Sequence, residues 1–311
     1  MGVHLRDGRI EIRRAESGAP ILAVLDGPDH GIIALDPRGA WIGMTSAAHL
    51  SLVSPAGTTM HTVELPADFA ARAIEFRGDG ERLWVFGTVG SVFHALAFDR
   101  GLVAEGRHTL TLAEGPYPTT INVHPTTDAF VLTTNEDRRD PEATIRRIGV
   151  AVDGGVARVV FEVEDIDYPC VGFTSDGHAL VGSDLFRGTT LHSWPDYQLV
   201  AEAPPAEGDE GCFDAIVVGD HILTERHPAE TTDSTLVVLA VPSLAERDHI
   251  TWGTRGAFGK PGDHAGIDLG AGLGSDRFLE VSPDPDHGWT LRIWQLEVSR
   301  SGSGLGVPSL G

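Results

Sequence analysis

Basic residues are scarce: 23 Lys and Arg stand against 45 Asp and Glu in 311 residues, a formal charge of −22. Such a surface repels phosphate backbones and anionic membranes, so neither nucleic acid nor a membrane is an expected partner. Cysteine is scarcer still. Cys170 and Cys212 are too few for a disulfide framework and agree with a reducing compartment. No apolar run approaches the ~20 residues of a membrane span, and no basic-then-apolar segment precedes Val3, so the expected location is the cytoplasm. No helical period of useful length interrupts the chain.

What is plentiful is punctuation. There are 38 Gly and 19 Pro, with 41% hydrophobic residues between them, as many short strands with tight turns require. One strand pattern recurs six times, a small or polar residue between two apolar ones: Ile33-Ala34-Leu35, Ile74-Glu75-Phe76, Ile121-Asn122-Val123, Val171-Gly172-Phe173, Phe213-Asp214-Ala215 and Ile267-Asp268-Leu269. The central positions, 34, 75, 122, 172, 214 and 268, lie 41, 47, 50, 42 and 54 residues apart, the period of a four-strand repeat. Four-stranded antiparallel sheets cannot bury both faces alone, so they pack around an axis. The expectation is an all-β fold, a single β-propeller over 1–298, followed by a flexible tail at 299–311. Six blades are expected. The N-terminal strand over 20–26 supplies the missing edge of the sixth and closes the last blade. The strand over 9–13 is then left over, which keeps a seventh, incomplete blade as the alternative.

The stretches IEFRGDGERLWVFG, VGFTSDGHALVG and WTLRIWQLE resemble the apolar-x-Phe-Ser-x-Asp-Gly and Trp-Asp positions of bacterial WD40-like propeller repeats. That resemblance covers most of the chain, and it implies a rigid platform for partner proteins.

First strands of propeller blades line a central channel, so the repeated position places Ala34, Glu75, Asn122, Gly172, Asp214 and Asp268 around one ring. Three carboxylates at ~4–8 Å and an effective dielectric of about 20 repel by roughly 2–4 kcal/mol per pair. Protonation, water or a cation must relieve that. Glu75, Asn122, Asp214 and Asp268 offer hard oxygens of the kind Ca²⁺ takes, and the set is similar to the axial calcium sites of six-bladed lactonase and phosphotriesterase-type propellers. A water-filled polar channel is the simpler reading. The register of Asp214 has a rival, with Ile216 and Val218 as the apolar pair.

A second set, His30, Cys170, Cys212 and His264, has a zinc-type composition, each residue at or just before an innermost strand. Its registers differ by one or two positions, and small buried cysteines with surface histidines explain it more simply. No nucleophile motif surrounds the other histidines. Gly270 to Gly274 follows a strand without the helix that an anion-binding loop needs. The expected function is a non-catalytic binding or scaffold module, monomeric, with no cofactor and with a protein or small-molecule partner on its loop-bearing faces. The alternative is a Ca²⁺-dependent hydrolase, lactonase- or esterase-like, with the metal in the central channel.

Overall fold

Alternating apolar residues between Gly, Pro, Asp and Asn breaks favour short strands joined by hairpins, and the computed structural model contains no helix among the described residues. Described are residues 2–6, 9–13, 21–26, 32–38, 40–46, 48–54, 58–110, 118–135, 145–164, 170–184, 188–205, 207, 209–228, 234–252, 268–272, 277–284 and 288–295. The expected tail at 299–311 lies outside them. Among the described residues no helix is long and apolar enough to cross a membrane.

Among the described residues seven antiparallel sheets follow in chain order. The first holds β1 (Gly2–Arg6), β2 (Arg9–Arg13) and β3 (Ile21–Asp26), and the second β4 (Ile33–Leu35), β5 (Ile42–Thr45), β6 (His49–Val53) and β7 (Thr59–Glu64). The third holds β8 (Phe69–Phe76), β9 (Arg82–Val89), β10 (Val92–Asp99) and β11 (Ala104–Leu110). The fourth holds β12 (Pro118–Val123), β13 (Ala129–Asn135), β14 (Ile145–Asp153) and β15 (Val156–Glu164). The fifth takes β16 (Cys170–Phe173), β17 (Ala179–Asp184), β18 (Gly188–Ser193) and β19 (Leu199–Ala203). The sixth takes β20 (Asp209–Val218), β21 (His221–Pro228), β22 (Ser234–Ala240) and β23 (Ala245–Trp252). The seventh has β24 (Asp268–Gly272), β25 (Arg277–Asp284) and β26 (Gly288–Gln295). Each sheet is a meander, with neighbours in sequence paired in space.

Among the described residues the N-terminal strand pairs within its own sheet and not with the last one. β3 pairs with β2, in a sheet of its own with β1, and β26 ends the seventh sheet. Hairpin pairing of sequence neighbours closes a short loop, at less entropic cost than joining the two chain ends.

The chain divides into two compact units, Met1–Ala143 with Ile148–Glu162, and Thr144–Arg147 with Val163–Gly311. In the first, β9 is buried along nearly its whole length because both faces of its sheet are covered. Leu83 and Val85 join Leu50, Leu52, Ile74 and Leu96 on one side. Trp84 and Phe86, one residue out of phase, join Phe130, Leu132 and Val150 on the other. Trp84 and Phe86 meet the Phe130 ring edge-on at 5.5 and 5.0 Å. In the second unit, Val181 and Leu191 of the fifth sheet pack on Ala215, Ile222, Val237 and Leu239 of the sixth.

The Asp-Gly pairs have a local cause. Asp79 accepts the Glu81 amide at 2.9 Å and Asp176 the His178 amide at 3.0 Å, and the following glycines, Gly80 and Gly177, sit at φ +65° and +75°. Asp36 does the same work with the amides of Arg38 and Ala40. Burial pushes the Asp79 and Asp176 carboxyls up, but hydrogen bonds from Arg77 and the Glu81 amide, and from Thr174 and the His178 amide, outweigh it and hold both below the usual range.

Candidate active site

Each candidate can be placed by counting from the hairpin between first and second strands. The amide of the last residue before the turn donates to the first residue after it: Asp36 to Trp41, Arg77 to Arg82, His124 to Ala129 and Thr174 to Ala179. Two residues back from the turn lie Ala34, Glu75, Asn122 and Gly172, paired in that order with Gly43, Trp84, Val131 and Val181. Four of the six repeated positions therefore share one register.

Asp214 and Asp268 have different registers. In the sixth sheet the turn is closed by Val218 and His221, so Ile216 opposite Leu223 holds the equivalent position. Asp214 lies in a bulge between Cys212 and Ala215, two residues farther from the turn. In the seventh, Ala271 opposite Leu279 matches the pairing of Glu75 with Trp84, whereas Asp268 is opposite Val281, beyond a bulge. An inserted residue on one strand moves every side chain beyond it and leaves no mark in the hydrophobic pattern.

Glu75 and Asn122 belong to the first unit, on β8 and β12, which approach one another. Ile74 and Phe76 are buried on either side of Glu75 and fix its strand. Solvent reaches the Glu75 carboxyl, yet the surrounding protein strips away enough hydration to raise it to about 7. Both hold for a recessed carboxyl that keeps contact with water but loses the hydration beyond it. It has no hydrogen bond or ion pair with another described residue. Asn122 is half-buried and has a partner of its own.

Among the described residues no three His, Cys, Asp or Glu side chains converge as metal ligands. Of the second set, His30 and His264 lie outside the described residues, and Cys212 is placed only as part of β20. Cys170 is buried, and desolvation raises its thiol despite the charge of Arg147 nearby. A buried thiol held protonated is a poor nucleophile. His124 is structural: its Nδ1 accepts the amides of Thr126 and Thr127 at 3.2 and 3.1 Å. Two features escaped the sequence reading. Arg77 and Arg82 converge on Asp128 from another sheet, and Glu225, 1% exposed, is a fully buried carboxyl on β21. The one signal for the latter is a Glu between Thr224 and Arg226 in a run that otherwise reads as a core strand.

No family model and no curated protein matches the chain. Solved structures do. An oligogalacturonate lyase in complex with manganese matches with a TM-score of 0.59 at 10% identity, over 84% of this chain and 73% of its own. The dihydro-heme d1 dehydrogenase NirN matches with a TM-score of 0.52 at 14% identity, over 89% of this chain and 59% of its own, so the chain spans under two thirds of that protein. Both are β-propellers, and the likeness shows that fold here. It also corrects the expected non-catalytic scaffold, since the two propellers it brings forward are enzymes.

Proposed function

We propose that the chain is a hydrolase on a β-propeller of WD40-like repeats, acting on an ester or lactone, with Glu75 moving the proton. What supports this is a solvent-reached carboxyl, unpaired among the described residues, that desolvation by the surrounding protein raises to about 7. A general base works best with a pKa near the operating pH, where the basic form is populated and the proton is still accepted. The Glu75 carboxylate takes a proton from water as the water oxygen bonds to the carbonyl carbon. The resulting tetrahedral intermediate then expels its alkoxide, which takes that proton back. Asn122, on the neighbouring first strand, carries an amide able to orient the carbonyl.

A divalent ion is the second reading, supported by the manganese bound to the lyase of similar fold. Glu75 and Asn122 supply two oxygen side chains where Ca²⁺ takes six to eight ligands, and the registers of Asp214 and Asp268 do not add to them. Two described oxygen donors fall short of that number, so no step is routed through an ion.

The test is turnover of a panel of lactones and aryl esters, with EDTA and with added Mn²⁺ or Ca²⁺ as separate arms. The wild type is expected to hydrolyse at least one member without metal, with kcat/KM rising through an apparent pKa of about 7. Glu75→Gln is expected to lose about 100-fold or more of kcat, the ordinary contribution of a general base. Undiminished turnover in Glu75→Gln, or none on any substrate in any arm, would falsify the proposal. Turnover only with added metal moves the assignment to the second reading.

A further inference from the structure

The outer strands of the sheets differ in how they treat water. β7, β11, β19 and β23 each carry a register shift against the neighbouring strand, and a bulge of this kind discourages further pairing. β11 and β23 are also studded with charge, Glu105 and Arg107 on one, Glu246, Arg247 and Asp248 on the other. β15 ends the order of its sheet and exposes three large apolar residues, where β19 exposes two, Leu199 and Val200. Val156, Val159 and Val160 are 55%, 53% and 38% exposed, three of the seven large exposed hydrophobic residues among those described. A nine-residue edge with apolar side chains is the kind of strand that recruits another.

The sequence of β15 indicates which strand. We propose that a second copy of this chain pairs antiparallel with it, β15 against β15 about a two-fold axis through Val160. In an antiparallel pair, directly opposite residues share a face, so a two-fold pairing centred on a residue sets Arg158 against Glu162 and Glu162 against Arg158. On the other face Val159 meets Phe161, twice, while Val160 meets itself at the axis on the face of Arg158 and Glu162. From Ala157 to Val163 every charge meets its opposite and every apolar residue an apolar one, the mismatch being Val156 against Glu164 at the strand ends, and shifting the centre by one residue would undo the match at Val160. Cross-strand pairs of both kinds stabilise sheets. The contact is small and each copy carries −22, so the dimer is expected to be weak, in the micromolar range, and to replace the expected monomer only at high concentration.

Sedimentation velocity between about 1 and 200 µM, at about 0.3 M salt to screen the net charge, tests this. The expected result is a sedimentation coefficient that rises with concentration toward that of a dimer. Arg158→Glu and Glu162→Arg are each expected to weaken association at least tenfold by placing like charges opposite, and the double swap to restore it. A wild type that stays monomeric throughout, or a swap that fails to restore what both single changes remove, overturns the pairing. Should either charge variant melt early, Val160→Lys sets two ammonium groups together at the axis and must give a monomer. Persistence of the dimer in Val160→Lys overturns the proposal as well.

Discussion

A carboxyl that titrates at about 7 in the folded chain and at its ordinary 4.5 when unfolded holds its proton more tightly in the fold. Stability changes with pH as the excess of protons bound by the unfolded state, and here that excess is negative. Glu75 therefore opposes folding progressively as pH rises from about 4.5 to about 7, and beyond that the cost is constant. Glutamine has the shape without the charge. Glu75→Gln is expected to melt with the wild type at pH 4.5 and above it at pH 8, by a few degrees at most because solvent still reaches the group. Equal melting temperatures at both pH values would show that Glu75 is ordinarily hydrated. The gain matters because the same change is expected to remove activity, a stability–function exchange that a merely structural residue would not show. Glu75 was legible in sequence as a carboxylate where a small residue is ordinary. Its raised pKa was not, because desolvation depends on neighbours distant in the chain.

At the scale of elements, hairpins were more legible than partners. Alternation and the Asp-Gly turns placed most strands of the middle sheets within a few residues, since period-two burial and turn chemistry are both local. The pairing of 21–26 was misread because alternation marks a strand and is silent on its partner. Asp214 and Asp268 stand in other registers than the pattern suggested for a related reason, since the bulges in β20 and β24 are properties of two strands together. Glycines in strands give some of this away. Gly188 opens β18 at φ +82°, and a Cβ there would strike the Ala203 carbonyl oxygen of β19. Gly154, in the turn between β14 and β15, has φ +55° and open space around it. Alanine at either meets the left-handed penalty of about 1 kcal/mol, and only at Gly188 does it also collide with backbone. Gly188→Ala is expected to destabilise by about 2–4 kcal/mol in denaturant unfolding, Gly154→Ala by about 1. Equal losses would mean that β18 and β19 part easily and that the close approach has no energetic weight.

For the molecule as a whole, the same composition that excluded polyanions sets a condition on stability. Local ion pairs are well served: Arg77 reaches Asp79 and Asp128 at 2.7 and 2.8 Å, and Arg82 reaches Glu105 at 2.5 Å. Such clusters consume cations, of which there are 23, and leave 22 acidic charges unmatched. Unmatched charges of one sign repel most when the chain is compact, and salt screens that repulsion over a Debye length of about 30 Å at 0.01 M and 8 Å at 0.15 M. Screening also weakens the attractive pairs, but these lie within 4 Å and are partly buried, where salt acts least. Repulsion is the term that salt changes more. Raising NaCl from about 0.01 to 0.3 M, at ~1 µM chain to keep association out of the measurement, is expected to raise the melting temperature by several degrees, most of it below 0.15 M. A melting temperature that falls with salt would show that the attractive clusters outweigh the net charge, and that the acidic excess is spread too widely over the surface to act as one.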